Sequence, residues 1–333
     1  MVEVSSRTLV VGDDPEQIRR LAERSEPFVG YLVSEDVNRE LEDALSMTDG
    51  GKRAYALGWL GSPSQFERVL SELEVDAVVL AFEALGRGQF VDQLTTCYER
   101  GIPVAVHRNQ ANRVLTVPDA DGELLRVDLE PWSRSERALK RGFDVLFAAV
   151  GLVSLLPLMV LIAVLIKLDS AGPVIYTQLR TTRFGRTFEL PKFRSMVENA
   201  EVKTGATLSS ENAGGSDERV TRVGRLLRRT HFDEIPQLWL ILRGPMSVVG
   251  PRPERPEIDA RIATSLPEWS QRWFVKPGLT GLAQVNDATS FSPERKLEWD
   301  LEYIHRQSFA FDLRLVGHQI RIVLRDAFAL WGR

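Results

Sequence analysis

The sequence predicts an α/β protein whose two halves flank an apolar segment, and three observations carry that prediction. In the first half, short β-branched strands alternate with polar helices, which is typical of a parallel, Rossmann-like sheet. An uncharged run fills positions 145–166. Beyond that run, short strands are mixed with helices, which indicates a mixed, helix-rich α/β domain. We therefore expect a Rossmann-like domain at 1–130, a linker at 131–137, a membrane helix at 138–167 and a second domain at 168–333.

The elements of the first half follow from short apolar runs separated by polar stretches. Strands are predicted at Thr8–Val11, Phe28–Val33, Arg53–Leu57, Ala77–Ala81 and Val104–His107, and helices at Pro15–Arg24, Ser64–Leu73 and Gln89–Arg100. The turn after the first strand has one glycine, Gly12, instead of the three of a dinucleotide fingerprint. Asp13 and Asp14 stand where a pyrophosphate would lie. The turn therefore argues against a nucleotide site and favours a regulatory or scaffolding domain.

The apolar run at 145–166 is 22 residues long, and about 18 uncharged residues suffice to cross a bilayer. Lys140 and Arg141 precede it and Lys167 follows it, and basic flanks favour the cytoplasmic side of a membrane. The N-terminus carries no basic and apolar export signal. Pro157 lacks an N–H group and clashes with the preceding turn, so it kinks a helix. We interpret the run as a re-entrant, monotopic helix–break–helix with both ends on the cytoplasmic face, and a kinked spanning helix is the alternative.

Charge is distributed unevenly along the chain, which has a net charge of −4. Residues 1–134 hold 14 basic and 24 acidic side chains, whereas residues 135–333 hold 28 basic and 22 acidic ones. A basic second half suits contact with phosphates or anionic lipid headgroups. The single cysteine, Cys97, excludes an internal disulfide, and the net acidic chain argues against a nucleic-acid binder.

The residues best suited to chemistry are two adjacent carboxylates, Asp233 and Glu234, within a strongly basic stretch. A carboxylate can attack phosphorus, provided that cations neutralise the phosphates around it, and a second carboxylate can hold Mg²⁺. Arg252 is fixed between two prolines, and the arginines before the carboxylates recur mostly every third residue, which stacks them on one helix face. Those arginines are Arg219, Arg222, Arg225, Arg228 and Arg229. The structural alternative is a helix start, since Thr230 and Asp233 have the spacing of a capping box.

Ordered blocks of the second half resemble the bacterial sugar transferases, which are monotopic polyprenyl-phosphate phosphoglycosyl transferases. The resemblance covers roughly 138–328. The chain departs from that family at Leu156, where a serine often precedes the proline, and at Thr182, where a glycine is common. The matching blocks are Lys140–Asp144, Gly172–Val174, Lys192–Met196, Arg219–Arg225, Asp233–Trp239, Ser247–Glu254, Lys276–Asn286 and Lys296–Tyr303.

The resemblance implies transfer of a sugar-1-phosphate from a nucleoside-diphosphate sugar, usually a UDP-sugar, to a membrane polyprenyl phosphate such as undecaprenyl or dolichyl phosphate. It also implies that UMP is released, that Mg²⁺ is required, and that the product starts a lipid-linked glycan, as in exopolysaccharide biosynthesis. In the family, the aspartate of the Asp-Glu pair forms a covalent sugar-phosphate, which implies Asp233 as the nucleophile. Glu234 would then be a metal ligand or proton acceptor, and both carboxylates are the expected ligands of Mg²⁺.

The remaining site residues are assigned by the same matching. Arg228 and Arg252 match the family's phosphate-binding arginines, and Lys192 and Arg194 are expected to join them. Pro157 marks the expected break in the membrane helix. The family's place is the cytoplasmic face of the cell membrane, and a homodimer is left open. Further residues are expected to contact substrate or shape the site: Arg222, Arg225, Gln237, Pro251, Pro253 and Glu254.

Several alternatives stay open. The second half could be a non-catalytic membrane adaptor joined to a metabolite sensor, although such a protein has no need of the carboxylates and arginines together. The last helix, about Leu313–Leu330, could lie on a membrane surface or pack with a solvated face. Trp239 and the tryptophans near 269–273 could be headgroup-level anchors or core residues, with core favoured. A loop is predicted at Lys203–Asp217, and a linker at Pro118–Arg134.

Overall fold

A computed structural model describes residues 7–22, 28–46, 58–83, 89–108, 124–127, 132–197, 200 and 219–331. The chain divides into two compact units, Met1–Leu129 and Glu130–Arg333. The predicted strand Arg53–Leu57 and the predicted loop Lys203–Asp217 lie outside the described residues, as does most of the predicted linker Pro118–Arg134. The fold is mixed α/β and rich in helix, as predicted.

The first unit contains a five-stranded sheet in the order β2-β1-β3-β4-β5. Strands β1 to β4 pair in parallel, which confirms the predicted parallel sheet, whereas the Rossmann-like assignment stays a prediction. The strands are β1 Thr8–Gly12, β2 Phe28–Leu32, β3 Ala77–Ala81, β4 Val104–His107 and β5 Leu124–Arg126, and the helices are α1 Pro15–Ala22, α2 Glu35–Ser46, α3 Phe66–Glu72 and α4 Gln89–Arg100.

Two elements of this sheet domain differ from the prediction. Leu124–Arg126 was assigned to the linker, but it forms β5 and pairs antiparallel to β4. Three residues are too few to show an alternating pattern, so β5 depends on its partner strand rather than on its own sequence. Helix α2 was not predicted, because its polar sequence, EDVNRELEDALS, buries few side chains, among them Leu41.

The turn after β1 is closed by its own side chains. A Cβ atom on Gly12 would lie 1.6 Å from the carbonyl oxygen of Ala81, so only glycine fits where β1 meets β3. Asp13 accepts a hydrogen bond from the backbone N–H of Glu83 at 2.8 Å. Asp14 accepts one from the N–H of Gln17 at 2.9 Å, at the start of α1. Both carboxylates therefore have a structural role at the position where a pyrophosphate would lie.

The second unit is built from seven helices and two pairs of strands within its described residues. Strands β6 and β7 form an antiparallel hairpin, and β8 and β9 pair in parallel. Short 3₁₀ segments at Arg183–Gly185, Phe232–Gln237 and Pro267–Phe274 connect these elements. The elements are α5 Arg134–Asp169, β6 Ile175–Thr181, β7 Thr187–Phe193, α6 Arg222–Thr230, α7 Leu238–Arg243, β8 Ser247–Val249, α8 Pro256–Ser265, β9 Gly278–Thr280, α9 Leu282–Val285, α10 Pro293–Arg306 and α11 Phe309–Trp331.

Helix α5 carries the apolar run and is long and apolar enough to cross a membrane. It begins at Ser133, whose side chain accepts from the N–H of Glu136 in a capping box, and it therefore starts earlier than the predicted position 138. The helix continues through Pro157, so the predicted division into two helices is wrong, while the re-entrant path stays a prediction. The proline removes one hydrogen bond, at a cost of about 3 kcal/mol, and the remaining turns of a 36-residue helix keep it continuous.

The two ends of α5 are both bound to the same unit. Near its start, Arg141 donates to the carbonyl oxygens of Ile241 and Leu242, each at 2.6 Å. At its end, Asp169 accepts from the N–H of Val223 at 2.9 Å. Between them, a large apolar face is exposed: Leu146, Val150, Val153, Leu156, Val160, Leu161, Val164, Leu165 and Leu168.

Candidate active site

A sharp turn between two helices brings the adjacent carboxylates inside. Helix α6 ends at His231, which has a left-handed backbone (φ 56°), and the 3₁₀ turn begins at the next residue. Asp233 and Glu234 are both 8% exposed. Thr230 donates to the carbonyl of Leu226 at 2.9 Å instead of capping the turn, so the alternative of a capping box at this point is wrong.

The two carboxylates have opposite electrostatic surroundings. Glu234 accepts from Lys192 Nζ at 2.8 Å and from Arg252 at 2.6 Å. Burial opposes ionisation of Glu234, but Arg252 and Lys192 outweigh burial and hold the pKa of that carboxyl well below its usual value. Burial raises the pKa of Asp233 to about 6, against the lowering effect of Lys192. No hydrogen bond to the Asp233 side chain is present within the described residues, so this carboxylate is buried, unpaired and directed at the cavity.

The backbone around Arg252 is fixed by hydrogen bonds from two other arginines. The carbonyl oxygen of Arg252 accepts from Arg272 Nη2 at 2.7 Å, and the carbonyl of Pro253 accepts from Arg180 at 3.0 Å. Pro251 and Pro253 are buried on both sides of the arginine. Because each proline has a fixed φ angle, the segment has little freedom to move its guanidinium away from Glu234.

Beneath this segment lies a buried network of charges. Glu254 accepts from Lys296, which is 2% exposed, and from the hydroxyl of Ser290. Burial opposes ionisation of Glu254, but Lys296, Arg272 and a further arginine lower its pKa to about 2. Arg272 in turn donates to Asp300 at 2.6 Å. The network therefore consists of ionised groups that satisfy one another.

The carboxylates open into a cavity of about 1070 Å³ with two chemically different ends. One end is polar and basic, with Lys192, Arg228 and Arg252 beside the carboxylates. The other end is apolar and lies between helices α5 and α11, which contribute Phe147, Gly151, Leu155, Ile320, Val323 and Leu324. Such a cavity suits a ligand that joins phosphate groups to a hydrocarbon chain.

A comparison with known families now identifies the chain. The family model for the bacterial sugar transferases matches residues 135–326. The chain belongs to the bacterial sugar transferase family.

Curated relatives are similar to this chain over parts of their length. A UDP-glucose:undecaprenyl-phosphate glucose-1-phosphate transferase of Xanthomonas campestris pv. campestris is 33% identical over 80% of this chain and 56% of the relative. A UDP-N-acetylgalactosamine-undecaprenyl-phosphate N-acetylgalactosaminephosphotransferase of Aeromonas hydrophila is 39% identical over 56% of this chain and 44% of the relative. A UDP-glucose:undecaprenyl-phosphate glucose-1-phosphate transferase of Escherichia coli (strain K12) is 40% identical over 56% and 40%. The chain thus spans about half the length of these relatives.

The arginines predicted to lie on one helix face do not all reach the cavity. Arg228 lines the cavity and donates to Ser195 Oγ at 3.0 Å, and Arg219 also lines it. Arg222 and Arg225 are exposed on α6 and are not among the described residues that line the cavity. Arg194 lines the cavity, but it donates to the backbone of Ser170 at 2.7 Å and so secures the end of α5. Gln237 is buried beside the carboxylates and does not line the cavity.

The carboxylate pair can be compared with what Mg²⁺ requires. Among the described residues, no group of three or more His, Cys, Asp or Glu side chains could hold a metal ion. Mg²⁺ in phosphate-transfer sites is usually bound by one or two carboxylates together with substrate phosphates. Asp233 fits this requirement because it is unpaired, whereas the oxygens of Glu234 already accept from two cations. The residues therefore fit a metal held largely by the phosphates of the substrate.

Sequence analysis missed Arg272 as a residue of the site. Arg272 is 4% exposed and its guanidinium packs over the Trp269 ring at 4.1 Å. Lys296 and Asp300 belong to a matched block, but their role was not assigned. A signal was present in the sequence, because these two charges are four residues apart on α10, on the same face as the buried residues Leu297 and Ile304.

Proposed function

We propose that this protein transfers a sugar-1-phosphate from a UDP-sugar to undecaprenyl phosphate or another polyprenyl phosphate, with Asp233 as the nucleophile. The observation that carries the proposal is the contrast within the carboxylate pair. Glu234 is held by Lys192 and Arg252, whereas Asp233 is unpaired and faces a cavity lined with cations. The activities named for the relatives support the same reaction class.

The reaction proceeds by two displacements at one phosphorus atom. A carboxylate oxygen of Asp233 attacks the β-phosphorus of the donor, the bond from that phosphorus to the bridging oxygen breaks, and UMP leaves with that oxygen and its electron pair. The sugar-phosphate is then bound to Asp233 as a mixed anhydride. An oxygen of the polyprenyl phosphate attacks the same phosphorus, and the bond to Asp233 breaks. The carboxylate is regenerated, and the lipid leaves as a polyprenyl diphosphate sugar.

The basic end of the cavity makes the first displacement possible. Asp233 approaches a phosphate that carries negative charge, so cations must offset the repulsion. Arg252 and Lys192 stand beside the carboxylates, and Arg228 adds a third cation to the cavity wall. Asp233 would hold Mg²⁺, and the ion would supply further charge neutralisation at the phosphates of the donor. The ion pairs of Glu234 hold the two cations in place before the substrate arrives.

The apolar end of the cavity and the attachment of α5 support a monotopic placement at the cytoplasmic face. Both ends of α5 contact the same unit through Arg141 and Asp169, which is difficult for a helix whose ends lie on opposite sides of a bilayer. The outward apolar face of α5 would lie in lipid. The phosphate of a polyprenyl phosphate lies at headgroup level, where the basic end of the cavity would meet it. The product would start a lipid-linked glycan, as in exopolysaccharide synthesis.

A UMP-release assay tests this proposal. Purified full-length protein in detergent would receive Mg²⁺, undecaprenyl phosphate and a panel of UDP-sugars, beside Asp233→Asn and the matched control Asp36→Asn on the exposed surface of α2. We expect UMP with one or a few sugars, loss of UMP with Asp233→Asn, and normal release from the control. Without acceptor, the intact mass of the wild type should rise by one sugar-phosphate, and that of Asp233→Asn should not. Folded wild-type protein that releases no UMP with any sugar would favour the adaptor alternative.

A further inference from the structure

One segment of the cavity wall has a different chemistry from the basic end. Residues Asp287–Phe291 follow α9 and line the same cavity as Asp233. Asp287 contributes an exposed carboxylate and Thr289 a hydroxyl group. Gln284, at the end of α9, lines the cavity nearby. The side chains of Asp287–Phe291 are acidic or neutral, with Lys296 behind Ser290 at 3.5 Å, whereas Lys192, Arg228 and Arg252 line the cavity beside Asp233.

The backbone at Asp287 is held in an uncommon conformation. Its φ angle is 54°, in the left-handed region that non-glycine residues rarely adopt, although Asp and Asn tolerate it better than others. The N–H of Asp287 donates to the carbonyl of Gln284 at 3.2 Å, and the N–H of Ala288 donates to Ala283 at 2.9 Å. The fold therefore places an acidic residue just after α9 in a backbone conformation that costs free energy.

The carboxylate of Asp287 has no ion pair and no side-chain hydrogen bond within the described residues, although the cavity contains several cations. The hydroxyl of Thr289 accepts a long hydrogen bond from the N–H of Phe291, at 3.4 Å. A carboxylate repels phosphate, so this part of the wall suits a portion of the ligand that donates hydrogen bonds. Hydroxyl groups of a sugar have that chemistry.

The segment is also tied to the arginine that faces the phosphates. The hydroxyl of Ser290 donates to Glu254, and Lys296 donates to the same carboxylate. Glu254 follows the Pro251–Pro253 segment that holds Arg252. Asp287 is three residues from Ser290, so this buried contact joins its segment to the one that holds Arg252. A subsite here can therefore recognise a part of the donor that is joined covalently to the reacting phosphate.

We infer that Asp287, with Thr289, is a subsite for the hydroxyl groups of the nucleotide-sugar donor, on its hexose or on its ribose. The inference rests on the proposed function, since it names the part of the donor that this segment binds. The carboxylate of Asp287 accepts from one or two hydroxyls, and the hydroxyl of Thr289 adds a further polar contact. Discrimination among donors would then depend on hydroxyl positions that meet these acceptors.

Substitutions at Asp287 test the subsite without damaging the backbone. Asp287→Gly removes the carboxylate and relieves the left-handed strain, and Asp287→Asn keeps the shape and the left-handed preference but removes the charge. Glu294→Gln is the matched control, because Glu294 is an exposed acidic residue of α10 that is not among the described cavity-lining residues. Thermal unfolding of each variant in detergent verifies that the protein is folded.

Two measurements distinguish the hydroxyls of the hexose from those of the ribose. We expect Asp287→Gly to raise the KM for the UDP-sugar about tenfold or more, with Asp287→Asn intermediate and Glu294→Gln unchanged. Unchanged inhibition by UMP, which lacks the hexose, would assign the subsite to the hexose. Inhibition by UMP that weakens by the same factor would assign it to the ribose. An unchanged KM in Asp287→Gly would overturn the inference.

Direct binding separates this inference from the proposed function. Calorimetric titration of the same proteins with UDP-glucose needs no turnover. Wild type that binds UDP-glucose but releases no UMP would count against the proposed function, and the Asp287→Gly titration would still decide the subsite. Wild type that releases UMP, with equal UDP-glucose affinity in wild type and Asp287→Gly, would remove the subsite alone.

Discussion

The guanidinium of Arg252 donates to both carboxylate oxygens of Glu234, at 2.6 Å to Oε1 and 3.3 Å to Oε2. Two-point contact of this kind fixes the plane of the guanidinium as well as its position. The Glu234 carboxylate thus fixes the orientation of the Arg252 guanidinium beside the cavity before any phosphate is bound.

Loss of Arg252 should therefore remove charge compensation from the reacting phosphate. We expect Arg252→Ala to reduce UMP release by about 100-fold or more, which corresponds to about 3 kcal/mol of transition-state stabilisation. Arg252→Lys keeps the charge but not the two-point geometry, so its activity should lie between those of the wild type and Arg252→Ala. Arg243→Ala, which removes an exposed arginine at the end of α7, is the control. Normal turnover in Arg252→Ala would remove this residue from the mechanism.

The raised pKa of Asp233 predicts how activity depends on pH. A nucleophilic carboxylate must be ionised, and burial raises the pKa of Asp233 to about 6. We expect kcat/KM to be constant above that value and to fall about tenfold per pH unit below it. Glu234 has a lowered pKa and stays ionised across this range, so one group should account for the acid limb. A rate profile that stays flat down to pH 4.5 would contradict the assignment.

The buried network around Glu254 predicts a large effect on stability. Lys296→Met leaves a buried carboxylate without one of its cations, which should lower the free energy of unfolding by about 3 kcal/mol. Because the folded pKa of Glu254 is lowered to about 2, its ionisation stabilises the protein above its ordinary pKa of 4.5, and that stabilisation is lost as the pH falls towards 2. The difference in the free energy of unfolding between the wild type and Lys296→Met should shrink over the same pH interval. Denaturant unfolding at several pH values measures it, and Arg295→Met, at the exposed neighbour on α10, should have little effect.

The attachment of α5 predicts that both of its ends lie on the cytoplasmic side. Ser135→Cys and Lys167→Cys place exposed thiols at the two ends, and Val153→Cys places one in the middle of the outward apolar face. A membrane-impermeant maleimide should label both end positions in inside-out vesicles and neither in right-side-out vesicles, while position 153 stays protected by lipid. The native Cys97 is buried, and burial raises its pKa to about 12, so it should react slowly. End positions labelled from opposite sides would establish a spanning helix.

Local pattern was sufficient for much of the fold. The predicted strand Val104–His107 and the predicted helix Gln89–Arg100 have the observed bounds. The pattern failed at α5, where proline chemistry alone predicts a break but the hydrogen bonds of a long helix continue past Pro157. Side-chain periodicity is a local property, whereas the tolerance of a helix for a proline depends on the hydrogen bonds and packing contacts of the whole helix.

The site was predictable where its residues are close in sequence. Asp233 and Glu234 are neighbours, and their shared position in the cavity follows from one turn. The opposite pKa shifts of the two carboxyls could not be predicted, because that of Glu234 depends on Lys192 and Arg252, which are 42 and 18 residues away from it. Arg272 was missed for the same reason, since its role depends on contacts made after folding.

Attachment at both ends of α5 also limits how the protein can respond to its membrane. A spanning helix tilts or stretches the bilayer when the hydrocarbon thickness changes. Arg141 and Asp169 bind the helix to the unit that contains the cavity, so in the proposed monotopic placement the height of the cavity above the lipid would be determined by the protein itself. Turnover should consequently depend little on acyl-chain length in reconstituted vesicles, and the acceptor phosphate should meet Asp233 at the same depth in thin and thick bilayers.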